Sequence, residues 1–83
     1  MSFYTYVLQS DDFKRNYYGS CHNMDERLNE HNKGKVKSTK PFKPWKIIYF
    51  EKFETRSEAY QRELFFKSIQ GKLFLKDKKI IPS

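Results

Sequence analysis

Apolar and polar positions alternate along this chain in blocks whose period changes from strand-like to helical. Phe3 to Leu8 is aromatic, β-branched or apolar at every position, which predicts a strand buried on both faces and hence a central one. Gln9 to Asn16 is polar, with Ser10, Asp11 and Asp12 as turn formers. Tyr17 to Cys21 predicts a second strand, antiparallel to the first because the connection is short. Gly19 within it marks a close backbone approach or a bulge. Asn23 and Glu26 form a capping box that opens a helix over about Met24 to Asn32, stopping near Gly34. Met24 and Leu28 give this helix a narrow apolar side, while Arg27 and His31, four apart, share one face. Lys33 to Lys46 has no helical period and carries Pro41 and Pro44, so it predicts a loop or extended segment. Trp45 to Phe53 predicts a third strand. Thr55 with Glu58 opens a second helix through about Ile69, with Ala59, Tyr60, Leu64, Phe65, Phe66 and Ile69 as its apolar members. Glu63 falls at the margin of that apolar side. Gly71 is expected to break the helix, and Lys72 to Ile81 to form a last short basic helix or turn. The sum is an α+β fold, a small antiparallel sheet with helices on its sides.

Size and composition sharpen this picture. A chain of 83 residues predicts one domain over residues 1–83. A domain so small buries only about 60% of the surface its unfolded chain exposes. Its core must therefore be dense in large side chains, which eight Phe, six Tyr and one Trp supply. Cys21 is the lone cysteine, which excludes an internal disulfide or a cysteine-based metal cluster and suits the reducing cytoplasm. No secretory leader is read at the N-terminus, and no apolar run approaches the roughly 20 residues that span a bilayer. The net charge of +7 favours a polyanionic partner, nucleic acid foremost, through counterion release. Lys33, Lys35, Lys37, Lys40, Lys43 and Lys46 concentrate that charge in one segment, suited to sequence-independent contacts with a phosphate backbone. A membrane-surface role fits poorly, because these lysines lie in a proline-bearing segment rather than on an amphipathic helix.

Four kinds of side chain here suit phosphodiester cleavage. A carboxylate, Glu63, can hold Mg²⁺ or Mn²⁺, since hard cations take oxygen ligands. Arg27 can clamp a phosphate through its planar fork and offset developing charge. Tyr6, Tyr17 and His31 offer phenols and an imidazole that take or order a proton. Each residue has a plainer role beside this one. Glu63 suits an ion pair with Lys67 four residues on, Arg27 a pair with Glu30 or Asp25, His31 a helix end, and the two tyrosines a core. Cys21 and His22 are adjacent on a strand and point to opposite faces, so they make no catalytic pair. The histidines are too few for a structural zinc.

Order and spacing add to this. A Tyr-x-Tyr strand (Tyr4-Thr5-Tyr6) is followed after about ten residues by a Tyr-x-Gly strand (Tyr17-Tyr18-Gly19). An Arg-Leu-x-x-His-Asn helix, a basic linker, an aromatic strand and a Ser-Glu-Ala-x-x-x-Glu helix complete the series. From Tyr4 to Phe66 the chain resembles the GIY-YIG endonuclease superfamily, in its compact single-domain branch. It is similar to the nuclease domain of structure-specific endonucleases and to the N-terminal domain of UvrC. The resemblance implies a three-stranded antiparallel sheet flanked by helices, one divalent metal on Glu63, and hydrolysis by a water that Tyr6, Tyr17 and His31 surround, with Arg27 on the phosphate. Which of the three is the base is left open. Tyr4 stands where the first signature has glycine, a bulk that alters how DNA reaches the site. Cutting enzymes of the superfamily usually carry a second, targeting domain, so a targeting protein partner is expected here. The leading expectation is a Mg²⁺-dependent endonuclease on duplex or branched DNA, linked to repair or recombination. The alternatives are a nucleic-acid-binding module without turnover and a protein-interaction subunit on the same fold.

Overall fold

The computed structural model describes residues 2–11 and 15–81; Asp12, expected in the first turn, lies outside them. Three strands, β1 (Phe3–Ser10), β2 (Asn16–Cys21) and β3 (Trp45–Phe53), form one antiparallel sheet in the order β2-β1-β3. Helix α1 (Met24–Asn32) follows β2, and α2 (Arg56–Lys67) and α3 (Ile69–Asp77) follow β3. The expected α+β sheet with flanking helices is what forms, with β1 at its centre.

A central strand must bury both faces, and Thr5, Tyr6, Val7 and Leu8 are all buried in succession. Val7 packs with Phe66, Leu75 and Ile81 on the α2/α3 side. Tyr6 and Leu8 pack with Trp45, Met24 and Leu28 on the α1 side. The sheet thus separates two cores. Tyr6 pairs with Gly19 on one flank and with Phe50 on the other. The register shifts between Val7 and Leu8, where β3 contributes Ile48 as an extra residue.

The second half departs from expectation in two places. First, α2 ends at Lys67, and Gly71 does not break it but lies inside α3, which begins at Ile69 rather than Lys72. The break is at Ser68, whose hydroxyl donates to the Phe65 carbonyl and accepts from the Gly71 N–H, capping the new helix. Gly71 is needed for proximity instead: a methyl group there would overlap the Phe65 carbonyl oxygen. Second, Tyr60, Leu64 and Ile69, expected in the core, are exposed. The buried side of α2 runs through Ala59 and Phe66, with Phe65 packed against the same core, and the helix turns Tyr60 and Leu64 outward. Of the two forms expected for the basic segment, residues 33–44 take the loop. They fold into turns that include a 3₁₀ turn at Lys40–Phe42, with Gly34 in the left-handed region (φ 78°) ending α1 as expected. Among the described residues no helix is long and apolar enough to cross a membrane.

Candidate active site

Gly19 explains how two phenols fit on the α1 side. Lying opposite Tyr6 in the register, it has no side chain, and the Tyr6 ring occupies the vacated space. A Cβ at Gly19 would stand 2.5 Å from the Tyr6 hydroxyl and 3.2 Å from the Tyr17 ring. The expected close approach is therefore of the Tyr6 ring to the Gly19 backbone, at a strand position that any larger residue would block.

Above these rings lies α1. Asn23 accepts the Glu26 N–H at 3.0 Å and fixes the start of the helix, which turns Arg27 and His31 onto the sheet. Arg27 Nε donates to the Tyr6 hydroxyl at 3.3 Å, and its Nη1 pairs with Glu30 at 2.8 Å. The Tyr6 hydroxyl meets His31 Nε2 at 3.1 Å, and His31 Nδ1 meets the Thr39 hydroxyl at 2.8 Å. Thr39 Oγ1 in turn donates to the Val36 carbonyl at 3.3 Å.

One placement of the protons satisfies every contact. Thr39 gives its hydroxyl proton to Val36, so it accepts from His31, which places the imidazole proton on Nδ1. Burial, with Arg27 adding to it, pushes His31 down to about 4, so the ring is neutral near pH 7 and Nε2 carries a lone pair. Nε2 then accepts the Tyr6 proton, and the Tyr6 oxygen accepts from Arg27. The chain has one direction: Arg27, Tyr6, His31, Thr39, Val36. Burial also pushes the Tyr6 phenol well up, against an opposing pull from Arg27, so Tyr6 rests as a neutral phenol aimed at a base. Tyr17 packs beside the pair, its ring 4.9 Å from His31 and 6.4 Å from Tyr6.

The His-Asn pair also clasps the basic segment. Asn32 donates to the Trp45 carbonyl and accepts its N–H, while the Trp45 indole donates to the Thr39 carbonyl. Lys33, Lys35, Lys37, Lys40, Lys43 and Lys46 all remain exposed on this clasp. Of these, Lys46 reaches Asp11 at 3.7 Å, a loose surface pair worth little.

Glu63 lies on the other face of the sheet edge, bonded to different partners. Thr5 pairs with Ser20, and both face α2: the Thr5 hydroxyl donates to the Ala59 carbonyl, and that of Ser20 to Glu63 Oε1 at 2.8 Å. Glu63 Oε2 accepts from Lys67 at 2.7 Å, the ion pair that the sequence also allowed. That bond holds the Lys67 ammonium above its ordinary range, and the Tyr17 phenol lies close enough to add to the effect. The structure therefore brings Tyr6, Tyr17, Arg27 and His31 together and leaves Glu63 on the α2 side of the β2 edge. No hydrogen bond among the described residues joins Glu63 to those four. The bridging residue is Ser20. Besides binding Glu63 it lines a cleft of about 220 Å³ with Arg27, Arg56, Glu26 and Glu30.

Ser20, Thr39 and Arg56 do not stand out in the sequence. Ser20 becomes visible only once the register is known, and Thr39 only once the loop is folded. Arg56 follows the α2 cap and reads as a surface residue.

Among the described residues no three His, Cys, Asp or Glu side chains converge as a metal cage. Glu63 brings a single carboxylate with a serine hydroxyl beside it. That donor set fits Mg²⁺, which keeps several waters and is held by one or two carboxylates plus substrate phosphates. Lys67 meanwhile holds a positive charge at the carboxylate.

Comparison with known proteins agrees with this architecture. The GIY-YIG catalytic domain model matches residues 2–77. A UPF0213 protein of Listeria welshimeri is 46% identical over 69 residues, 81% of this chain and 74% of its own length. UPF0213 protein YazA of Bacillus subtilis is 36% identical over 67 residues, 76% and 68% of the two chains. The solution structure of a UPF0213 protein from Bacillus halodurans aligns with a TM-score of 0.56 at 29% identity, covering 99% of this chain and 89% of that one.

Proposed function

The chain belongs to the GIY-YIG catalytic domain family, a nuclease family, and from that premise we propose that it is a metal-dependent DNA endonuclease built as a single domain. The observation that carries the reading is the directed chain from Arg27 through Tyr6 to His31. Hydrolysis joins a water oxygen to phosphorus, breaks a P–O ester bond and must move one proton from the water and another to the leaving oxygen. In this reading Arg27 turns its guanidinium between Tyr6 and a phosphate oxygen, offsetting charge as it builds. Tyr6 orders the attacking water through its hydroxyl oxygen, and His31 Nε2 is the acceptor behind it. Tyr17 walls the pair from solvent. Glu63 would exchange Lys67 for Mg²⁺ or Mn²⁺, and the chemistry such an ion supplies is charge stabilisation at the phosphate and leaving oxygens. The lysines from Lys33 to Lys46 hold the DNA backbone, duplex or branched. A targeting partner, a cytoplasmic setting and a role in repair or recombination belong to the same proposal.

Flap, fork and linear DNA substrates in Mg²⁺ test it. Cleavage is expected from the native chain and is expected to vanish in Arg27→Ala and in Glu63→Gln, which keeps the volume of the glutamate. Cleavage that persists in both variants removes the assignment. One observation favours a second reading, binding without turnover: both Glu63 oxygens are already occupied by Ser20 and Lys67. That reading expects salt-dependent DNA binding and no cleavage with any divalent metal.

A further inference from the structure

Helix α1 covers only part of the sheet face that carries Tyr6. It begins at Met24, which packs with Tyr6 and Leu8, and the same face is open enough to leave Phe50 exposed. Tyr4 and Phe50 stand on that open stretch. Phe50 pairs with Tyr6 and Tyr4 lies two residues from it, so all three share a face. The Tyr4 and Phe50 rings meet edge to face, with centroids 6.1 Å apart at 67°. Phe50 is 54% exposed although it sits mid-strand. With Ile47 below them and His22 and Asn23 at the rim, the two rings bound an open hollow of about 630 Å³. His22 and Asn23 also line the smaller cleft that holds Arg27 and Arg56, so the two spaces are neighbours.

We propose that this hollow is a nucleobase subsite, in which an unpaired base stacks on Phe50 and Tyr4 while its phosphate lies in the cleft against Arg27 and Arg56. The phosphate half rests on the nuclease reading. The base half goes beyond it, by naming the substrate class: a strand with an unpaired base next to the bound phosphate. Aromatic rings accept the π-face of any base, and such stacking tightens binding by roughly five- to 150-fold per base. A base inside a duplex hides its faces in the stack, so only an unpaired or extruded base can enter. Among the described residues no lysine or arginine lines the hollow, while Asp25 does, so the uncharged end of a nucleotide belongs there and the phosphate belongs next door. Asn23, His22 and Asp25 place donors and acceptors where base edges can use them. The chain's surplus of +7 draws the polyanion to which that base is attached.

The test is equilibrium binding of the full chain in EDTA to a short oligothymidine carrying one 2-aminopurine. Stacking quenches the 2-aminopurine on binding. Phe50→Leu and Tyr4→Leu, which keep apolar bulk but lose the ring, are each expected to weaken binding about fivefold or more and to relieve the quenching. Placing one abasic site in the oligomer is expected to cost the native protein a similar factor. Duplex of the same sequence is expected to bind equally to native protein and variants. Unchanged affinity and quenching in Phe50→Leu overturn the proposal, as does an equal loss on duplex. Because no metal is present, stacking with no cleavage in Mg²⁺ would sink the nuclease reading and leave the subsite. Cleavage that needs Arg27 and Glu63 but ignores both ring substitutions would sink the subsite alone.

Discussion

His31 is fully buried, and its imidazole, ordinarily near 6.5, titrates near 4 in the folded chain. Between those values the unfolded chain binds a proton that the folded chain refuses, so stability falls as pH drops from 6.5 through 4. The full effect is on the order of 3 kcal/mol. Thermal unfolding followed from about pH 7 to 4 should show this slope, and His31→Gln should flatten it. Thr39 acts on the same ring as a positioning residue. Thr39→Val removes the acceptor at Nδ1 and should move the proton toward Nε2, visible in the imidazole ¹⁵N shifts, while Thr39→Ser restores the native pattern. An unchanged tautomer in Thr39→Val would contradict the proton order derived above. Gly19→Ala should cost about 1–3 kcal/mol, because its methyl group must displace the Tyr6 hydroxyl, and urea unfolding measures it directly. Helix spacing put Arg27 and His31 on one face, and the family resemblance, not the strand pattern, set Tyr6 and Tyr17 beside them. The surroundings of Glu63 were not. A helical wheel shows that a carboxylate sits at an apolar margin, but not which face of the sheet that margin meets.

The elements repeat this division between local and long-range information. The strands and α1 follow from local pattern and caps, and their bounds match expectation within two residues. The α2–α3 corner does not, because Gly71 reads as a breaker until the approach of a second helix is known. Gly71→Ala should therefore destabilise the chain more than Gly34→Ala. The latter costs only the left-handed backbone penalty, about 1 kcal/mol, whereas the former forces two helices apart. Comparing the two urea midpoints settles the order. The basic segment belongs to this scale too. Its lysines are exposed, and the turns that carry most of them are clasped by Asn32 and Trp45. Replacing Lys35 and Lys37 with alanine should weaken DNA binding across sequences and lower the salt slope by roughly one for each phosphate left without its lysine.

At the scale of the whole molecule, two small cores share one central strand. Phe66 is fully buried between α2, α3 and the sheet, and Phe66→Ala should cost about 3–5 kcal/mol. Domains rarely hold more than about 5–15 kcal/mol in reserve. That α+β architecture was readable in outline, from a run of apolar residues too continuous to have a wet side. The placement of Tyr60, Leu64 and Ile69 was not, because periodicity does not reveal how much sheet is available to cover a helix.

The double burial of β1 has a further consequence for how the molecule comes apart. Each layer leans on the same eight residues, so neither can melt while the other survives. Circular dichroism and Trp45 fluorescence should lose their signals at one denaturant concentration. On the nuclease reading, a lesion such as Leu75→Ala, on the far side from Arg27, should then lower activity by thinning the native population, with the chemistry of every remaining folded copy intact.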